Sequence, residues 1–253
     1  MQTIGQNVLV VTAAVVASLL LMVWVNRVWP SEKRHNYNDL VGWQLSILGT
    51  TYAVILGFML YTVWTTYGEA DLNVELEANA VADLYRLAEE FPEPQQSQLK
   101  NQARSYAEAV VNRDWQEMAN NEEPKQSAAI SSGMWQTVRS VRPASPTEQI
   151  AQDHALSELS LLAQHRLTRL SQSSMRLPNV LWSVLLVGGV LTIVSACMFG
   201  IQSKKLQALQ IFSLSLLVSL SLVAIADIHR PFHGLIHVRD YAFRQALESM
   251  QDN

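Results

Sequence analysis

Apolar positions gather in two blocks, the first quarter of the chain and residues 177–226, and the stretch between them is polar. Block patterning of this kind predicts membrane helices interrupted by a soluble insertion. Residues 8–25 are apolar and uncharged, and Arg27, Trp29 and Pro30 mark an interface and a stop. They read as a first crossing, at the short end of the usual length. No basic region precedes this run and no small-residue cleavage site follows it, so it is expected to be retained. After a polar hairpin, no residue between Asp39 and Glu69 carries a formal charge, which predicts a second crossing. Its periodicity continues through Leu72, Leu76, Ala80, Leu84 and Leu87 until Pro92 and Pro94 stop it. That makes one rod of roughly 70 Å at 1.5 Å per residue.

The polar insertion reads as further helices separated by proline-marked turns. Residues 95–120 carry an apolar stripe of Leu99, Ala103, Tyr106, Val110 and Trp115, with Lys100, Arg104, Arg113 and Asp114 assigned outside it. Residues 125–141 pattern through Ile130, Met134, Trp135, Val138 and Val141. Ser145 with Glu148 fits a capping box ahead of a long helix over 147–176, striped by Ile150, Leu156, Leu159, Leu162, Leu167 and Leu170. The charged faces of this bundle are expected to be solvated surface. Residues 177–203 and 206–226 predict the third and fourth crossings. The tail should bend at Pro231 and Gly234 and resume as a short amphipathic helix through Val238, Tyr241, Ala242, Phe243 and Leu247. The expected organisation is two crossings in 1–67, a helical bundle in 68–176, two crossings in 177–228, and an elbow with a short helix in 229–253. The fold class is an all-α membrane protein with a soluble bundle inserted between its second and third transmembrane helices.

The second crossing is not uniformly greasy. Ser46, Thr50, Val54, Phe58, Thr62 and Thr65 recur at three- and four-residue steps and share one helical face. Gly49, Ala53 and Gly57 form a neighbouring row of small residues, which lets another helix approach closely. Two readings stand at this point. The hydroxyls bond back to their own backbone in a tightly packed helix, or they line a water-filled path narrowed by Val54 and Phe58.

Composition limits the chemistry. A formal net charge of −4 without a Lys/Arg cluster gives no support for nucleic-acid binding. The single cysteine, Cys197, allows neither an intrachain disulfide nor a thiolate cluster. His229, His233 and His237 are four apart, but Pro231 and Gly234 interrupt the helix that would align them, so a polar elbow is expected there and no metal site. No nucleophile elbow, P-loop or dinucleotide fingerprint occurs, and no catalytic residue or cofactor is assigned. Ionisable groups reach only the ends of the crossings, at Glu69 and Asp227, which argues against proton-coupled transport. The short turns hold Arg27, Lys33, Arg34, Lys204 and Lys205; by charge alone they would face the cytosol, leaving the bundle outside.

The segment LGTTYAVILGFMLYTVWTTYGEA at 48–70 resembles the corresponding segment of bacterial bestrophins, and DIHRPFHG at 227–234 resembles the acidic-Pro-Phe-Gly stretch after their last crossing. The order of elements, with an EA...LYRLA helix and Trp115 and Met118 in a W-x-x-M helix, is similar to the bestrophin-like bacterial membrane proteins. The resemblance implies a homopentameric passive ion channel in a bacterial inner (plasma) membrane, crossing it several times, with inorganic ions as its cargo. The second helix would surround the axis, Thr50, Val54 and Phe58 would narrow it, and Thr62 and Thr65 would continue the path. It also implies a cytosolic bundle, against the charge bias, and the resemblance is preferred. Two departures matter. Thr50 stands where the family has an apolar residue, and the tail lacks the acidic cluster that holds calcium in animal bestrophins. The alternative is a membrane-anchored helical sensor or scaffold that conducts nothing.

Overall fold

The computed structural model describes residues 4–120 and 122–251, and among them it is built from helices and turns without a strand. The order is α1 (Ile4–Val28), a short α2 (Ser31–Arg34) with a 3-10 turn His35–Tyr37, and the 50-residue α3 (Asn38–Leu87) ending in a 3-10 turn Ala88–Glu90. Then come α4 (Gln95–Ala109), a π-helical turn Val110–Asp114, α5 (Trp115–Ala119), α6 (Lys125–Ser140) and α7 (Pro146–Ser174). Last are α8 (Asn179–Cys197), α9 (Lys204–Ile228) and α10 (Tyr241–Ser249). Among the described residues four helices, those containing α1, α3, α8 and α9, are long and apolar enough to cross a membrane. The chain divides into two units, Met1–Thr65 with Arg176–His229, and Thr66–Met175 with Arg230–Asn253.

In the first unit α1 packs along α9, and α8 packs on both. Many inward positions are small or hydroxylated: Ser18, Gly189, Thr192, Ser195, Ala196, Ser215 and Ser219 are buried beside Met22, Leu185, Ile211 and Ile225, while Leu9, Leu20, Val180, Val187 and Leu217 point outward. Small and hydroxylated residues thus share the interior with a few large apolar ones, while many large apolar side chains stay outside. Lipid solvates large apolar side chains as well as a neighbouring helix does, so close backbone approach decides the packing. The buried hydroxyls bond to carbonyls of their own helices, Ser18 to Ala14 and Thr192 to Gly188 at 2.8 Å each. The Ser215 and Ser219 hydroxyls bond in the same way, to the Phe212 and Ser215 carbonyls.

A buried polar clasp closes one end of this unit. Arg34 is fully buried. It donates to the Cys197 carbonyl at the C-terminus of α8 at 2.6 Å and to Asn26, placing a cation where the last carbonyls of a helix favour one. Asn26 donates to Gln207, and Gln207 to the Phe199 carbonyl at 3.1 Å. Asn38 both donates to and accepts from the backbone of Gly200. A Cβ at Gly200 would sit 2.6 Å from Ser31 O and His35 N, so only glycine fits. Arg34 is therefore a structural cation, and the topological charge count of the turns is smaller than the sequence suggests.

In the second unit one core runs through α3, α4, α6, α7 and the tail, with Val74, Leu84, Leu99, Tyr106, Met134, Leu159, Leu162 and Phe243 among its buried members. The Ser145 hydroxyl accepts from Glu148 N, and the Glu148 carboxylate accepts from Ala144 N, which caps α7 as its sequence indicates. Two stripes differ from expectation at some positions, although Ala80 and Leu84 in the first and Leu159 and Leu162 in the second are buried. Along α3 the inward row is Ala70, Val74, Glu77, Val81, Leu84 and Ala88, while Leu72 and Leu76 face outward. Along α7, Ile150 and Leu167 are exposed and Arg169 is inside. The tail turns through Gly234, whose φ of 89° is a glycine conformation. Trp115 donates to Val238 O at 2.9 Å and Arg104 to Met250 O at 2.7 Å. These bonds fasten the tail to the bundle.

Candidate functional site

Within the first unit, α3 meets its own chain at few places. Val41, Tyr52 and Val63 are its buried apolar residues there, and Tyr52 lies over Gly188 and Gly189 of α8. A Cβ at Gly188 would come within 2.6 Å of the Tyr52 ring, and one at Gly189 within 2.9 Å of its hydroxyl. The phenol donates to Leu185 O at 3.0 Å, which satisfies the polar tip of a knob otherwise held by apolar contact. Leu45 joins the small cluster of Met22, Ala196, Cys197 and Ile211.

The row around Thr50 is on another face. Thr50, Val54, Phe58 and Thr62 are exposed and Thr65 is half-buried. Val54 and Phe58 keep 53% and 68% of their surface. Val54, Gly57, Phe58 and Tyr61 border a shallow hollow of about 460 Å³. Ser46 and Thr62 donate to the carbonyls four residues earlier, at 2.9 and 2.8 Å. Both readings of these hydroxyls thus have a footing: they bond back along the helix, and they sit on a face the chain does not cover. Ala53 is exposed, and space is open where a Cβ would stand at Gly49 or Gly57. Unlike Gly188 and Gly189, Gly49 and Gly57 have no close neighbour inside the chain.

No charged side chain lies on the exposed face between Asp39 and Glu69. What it offers chemically is a ladder of hydroxyl oxygens interrupted by two bulky apolar groups. Such a surface can replace part of an ion's water shell and narrow its path, but it has no group to transfer a proton or attack a bond.

The chain's strongest polar constellation was not visible in the sequence. Arg169 donates to Glu77 at 2.7 and 3.0 Å and to Asp114 at 2.8 Å, with all three side chains closed to solvent. Tyr106 donates to Glu77 at 2.6 Å and Ser127 to Asp114 at 2.9 Å. The guanidinium also lies 5.5 Å from the Trp115 ring centre. Burial works against the Arg169 charge, but Glu77, by charge and hydrogen bond, and Asp114 more than offset it and hold its pKa above the usual guanidinium range. Burial, and then the Glu77 charge, push the Tyr106 phenol well above its usual value, so it stays a donor. The expectation that the bundle's charges are solvated, Asp114 among them, fails here. The network is sealed, with Asp114 Oδ1 left without a hydrogen-bond partner, and it is a packing device with no access for a substrate.

At the elbow, His229 stacks edge-on against Trp182, with ring centres 5.7 Å apart. The Nδ1 atoms of His229 and His237 lie 2.8 and 3.2 Å from Ala226 O and Gly234 O. Among the described residues no three His, Cys, Asp or Glu side chains converge as metal ligands.

A Bestrophin-like domain matches residues 12–243. None of the curated protein sequences matches. Among solved structures, a point-mutant form of a bacterial bestrophin homologue from Klebsiella pneumoniae superposes with a TM-score of 0.74 at 12% identity, covering 96% of this chain and 99% of that one. Another structure of the Klebsiella pneumoniae homologue gives 0.71 at 13% identity, covering 95% and 97%. A structure described as a membrane protein gives 0.72 at 13% identity, covering 96% and 97%. At these identities the likeness is one of fold.

Proposed function

Since the chain belongs to the Bestrophin-like family, we propose that it is a passive ion channel made of identical copies, five by the family resemblance. It would cross a bacterial inner membrane, with the membrane part of α3 from each copy facing a shared path. Thr50, Val54, Phe58, Thr62 and Thr65 line that path. Thr50 offers a hydroxyl at its first narrowing, and Val54 and Phe58 form the apolar constriction, where loss of water closes it. A hydroxyl in place of an apolar side chain at Thr50 lowers the cost of wetting, so the closed state is less dry than three apolar rings would make it. Gly49, Ala53 and Gly57 let the adjacent copy's helix pack closely. Inorganic ions pass, and neither a catalytic residue nor a cofactor takes part.

The observation that carries this reading is the exposure of the Thr50 face. A hydroxyl-bearing membrane helix packs on its own chain through the side that carries Tyr52 and leaves that face uncovered. Beyond their bonds to the helix these hydroxyls keep acceptor lone pairs, which water in a path shared by several copies can use and lipid cannot.

Ion flux through liposomes containing the purified protein tests the reading. Val54→Ala and Phe58→Ala, by widening the constriction, should raise flux several-fold over the wild type. If wild type and both folded variants stay at the level of empty liposomes, the channel reading fails and a non-conducting membrane-anchored module replaces it.

A further inference from the structure

The end of the first unit that holds the two short turns carries more positive charge than its fold uses. Of the cations there, Arg34 is buried in the clasp. Arg27, Lys33, Lys204 and Lys205 are exposed. Among the described residues none of these four is in an ion pair. Glu32 and Asp39 are the acids of this end, so exposed cations outnumber acids two to one.

The clasp gathers these cations from three segments. Asn26, in the last turn of α1, donates to Gln207 near the start of α9 at 2.9 Å. Arg27 follows directly on one end of that bond, and Lys204 and Lys205 lie within a turn of the other. Arg34, bonded to Asn26 and to the Cys197 carbonyl, holds α2 and with it Lys33 at the same end. The first turn of α9 contains no acid, and the unpaired N–H groups of a helix start carry partial positive charge. The backbone there adds to the positive potential and does not offset it.

Aromatic and apolar side chains set the depth of this end. Trp24, Tyr37 and Trp43 are exposed, and Tyr37 packs on Trp29 with ring centres 6.0 Å apart. Exposed amphipathic rings settle at the headgroup level of a bilayer. One or two turns further along the crossings the surface is apolar, with Leu20, Val23, Leu206 and Leu209 exposed. A ligand that suits both layers has a net negative head on an apolar tail. A zwitterionic head brings its own cation to the phosphate and gains little from surplus Lys and Arg. An anionic head gains roughly fivefold from each cation at the surface.

We propose that this end of the membrane unit binds anionic phospholipid. The lipid phosphate is held by Arg27, Lys204 and Lys205, Lys33 adds to the attracting field, and the acyl chains lie along the apolar sides of α1 and α9. The proposal needs only a chain that crosses a membrane. It goes beyond ion conduction and stands or falls apart from it.

Native mass spectrometry of the full-length protein in detergent tests this, with phosphatidylglycerol and phosphatidylcholine of the same acyl chains supplied in equal amounts. Phosphatidylglycerol adducts should exceed phosphatidylcholine adducts by about tenfold or more. Arg27→Gln with Lys204→Gln and Lys205→Gln should bring the two lipids near parity while circular dichroism keeps the wild-type helix signal. Lys204→Arg with Lys205→Arg should hold the wild-type ratio. So should Arg113→Gln with Lys125→Gln and Arg142→Gln, which removes as many exposed cations from the bundle. A wild type without preference overturns the proposal. The same follows if the triple Gln variant of the turns keeps the preference, or if the bundle variant loses it equally. Inorganic phosphate at millimolar concentration should leave the lipid in place; displacement by it would assign these cations to a soluble anion and overturn the lipid reading.

Discussion

Replacing Arg169 with methionine tests the reasoning about the buried network most sharply. The substitution keeps an unbranched apolar stem and removes the guanidinium that holds Glu77 and Asp114. Two carboxylates then share a closed space with only the Tyr106 and Ser127 hydroxyls as donors. Breaking a buried pair by removing one partner costs about 3–5 kcal/mol, because the remaining charge is uncompensated. With two acids left behind, Arg169→Met should fall at the upper end. For a chain of this size that corresponds to a lowering of the melting temperature by roughly 10–20 °C, at about 2–4 °C per kcal/mol. Trp115, beside the guanidinium, reports the transition by its fluorescence in a detergent-solubilised sample. Adding Glu77→Gln and Asp114→Asn to Arg169→Met removes the stranded charges and should recover a large part of the loss. Arg169→Lys should lie between, since one ammonium cannot reproduce the fork that bridges both carboxylates. A loss below about 1 kcal/mol for Arg169→Met would mean that water reaches the site, and the sealed-network account would be wrong.

Other substitutions probe the remaining contacts. Tyr106→Phe removes a hydrogen bond to a charged acceptor and should cost about 1.5–3 kcal/mol in the same melting assay. Gly188→Ala places a methyl against the Tyr52 ring; overpacking of this kind costs roughly 1–3 kcal/mol, and Tyr52→Ala in the same chain should relieve part of it. Arg34→Met leaves the Cys197 carbonyl and Asn26 without their donor, at about 1–3 kcal/mol, read as a lower detergent-denaturation midpoint. An undiminished midpoint would show that the clasp does not hold the turn.

The helices were legible because their signals are local. Long uncharged runs mark the crossings, prolines mark the turns, and Ser145 with Glu148 announces the start of α7. The rotation of helices about their axes was harder. Leu72 and Leu76 are an apolar pair at helical spacing and invite assignment to the core, yet Glu77 occupies the inward row beside Val74 and Val81. A carboxylate is placed inside only by a partner, and Arg169 is 92 residues away in sequence. Asp114 follows Val110 by four, so spacing puts it on the buried stripe; its charge is what argued for the outside. The π-helical turn Val110–Asp114 lets Asp114 and Trp115 both turn inward, since it widens the local repeat toward five residues. For the candidate path, the shared face of Thr50, Val54 and Phe58 could be read from periodicity alone. The role of Tyr52 could not, because its partners Gly188 and Gly189 lie on a helix far along the chain.

Single-particle imaging of the purified oligomer in lipid is the most direct measurement of the channel account. It should show five copies around one axis, with α3 innermost and the path tightest at the rings of Thr50, Val54 and Phe58. A single chain, or a symmetric assembly whose axis is lined by another helix while the Thr50 face meets lipid, would contradict it.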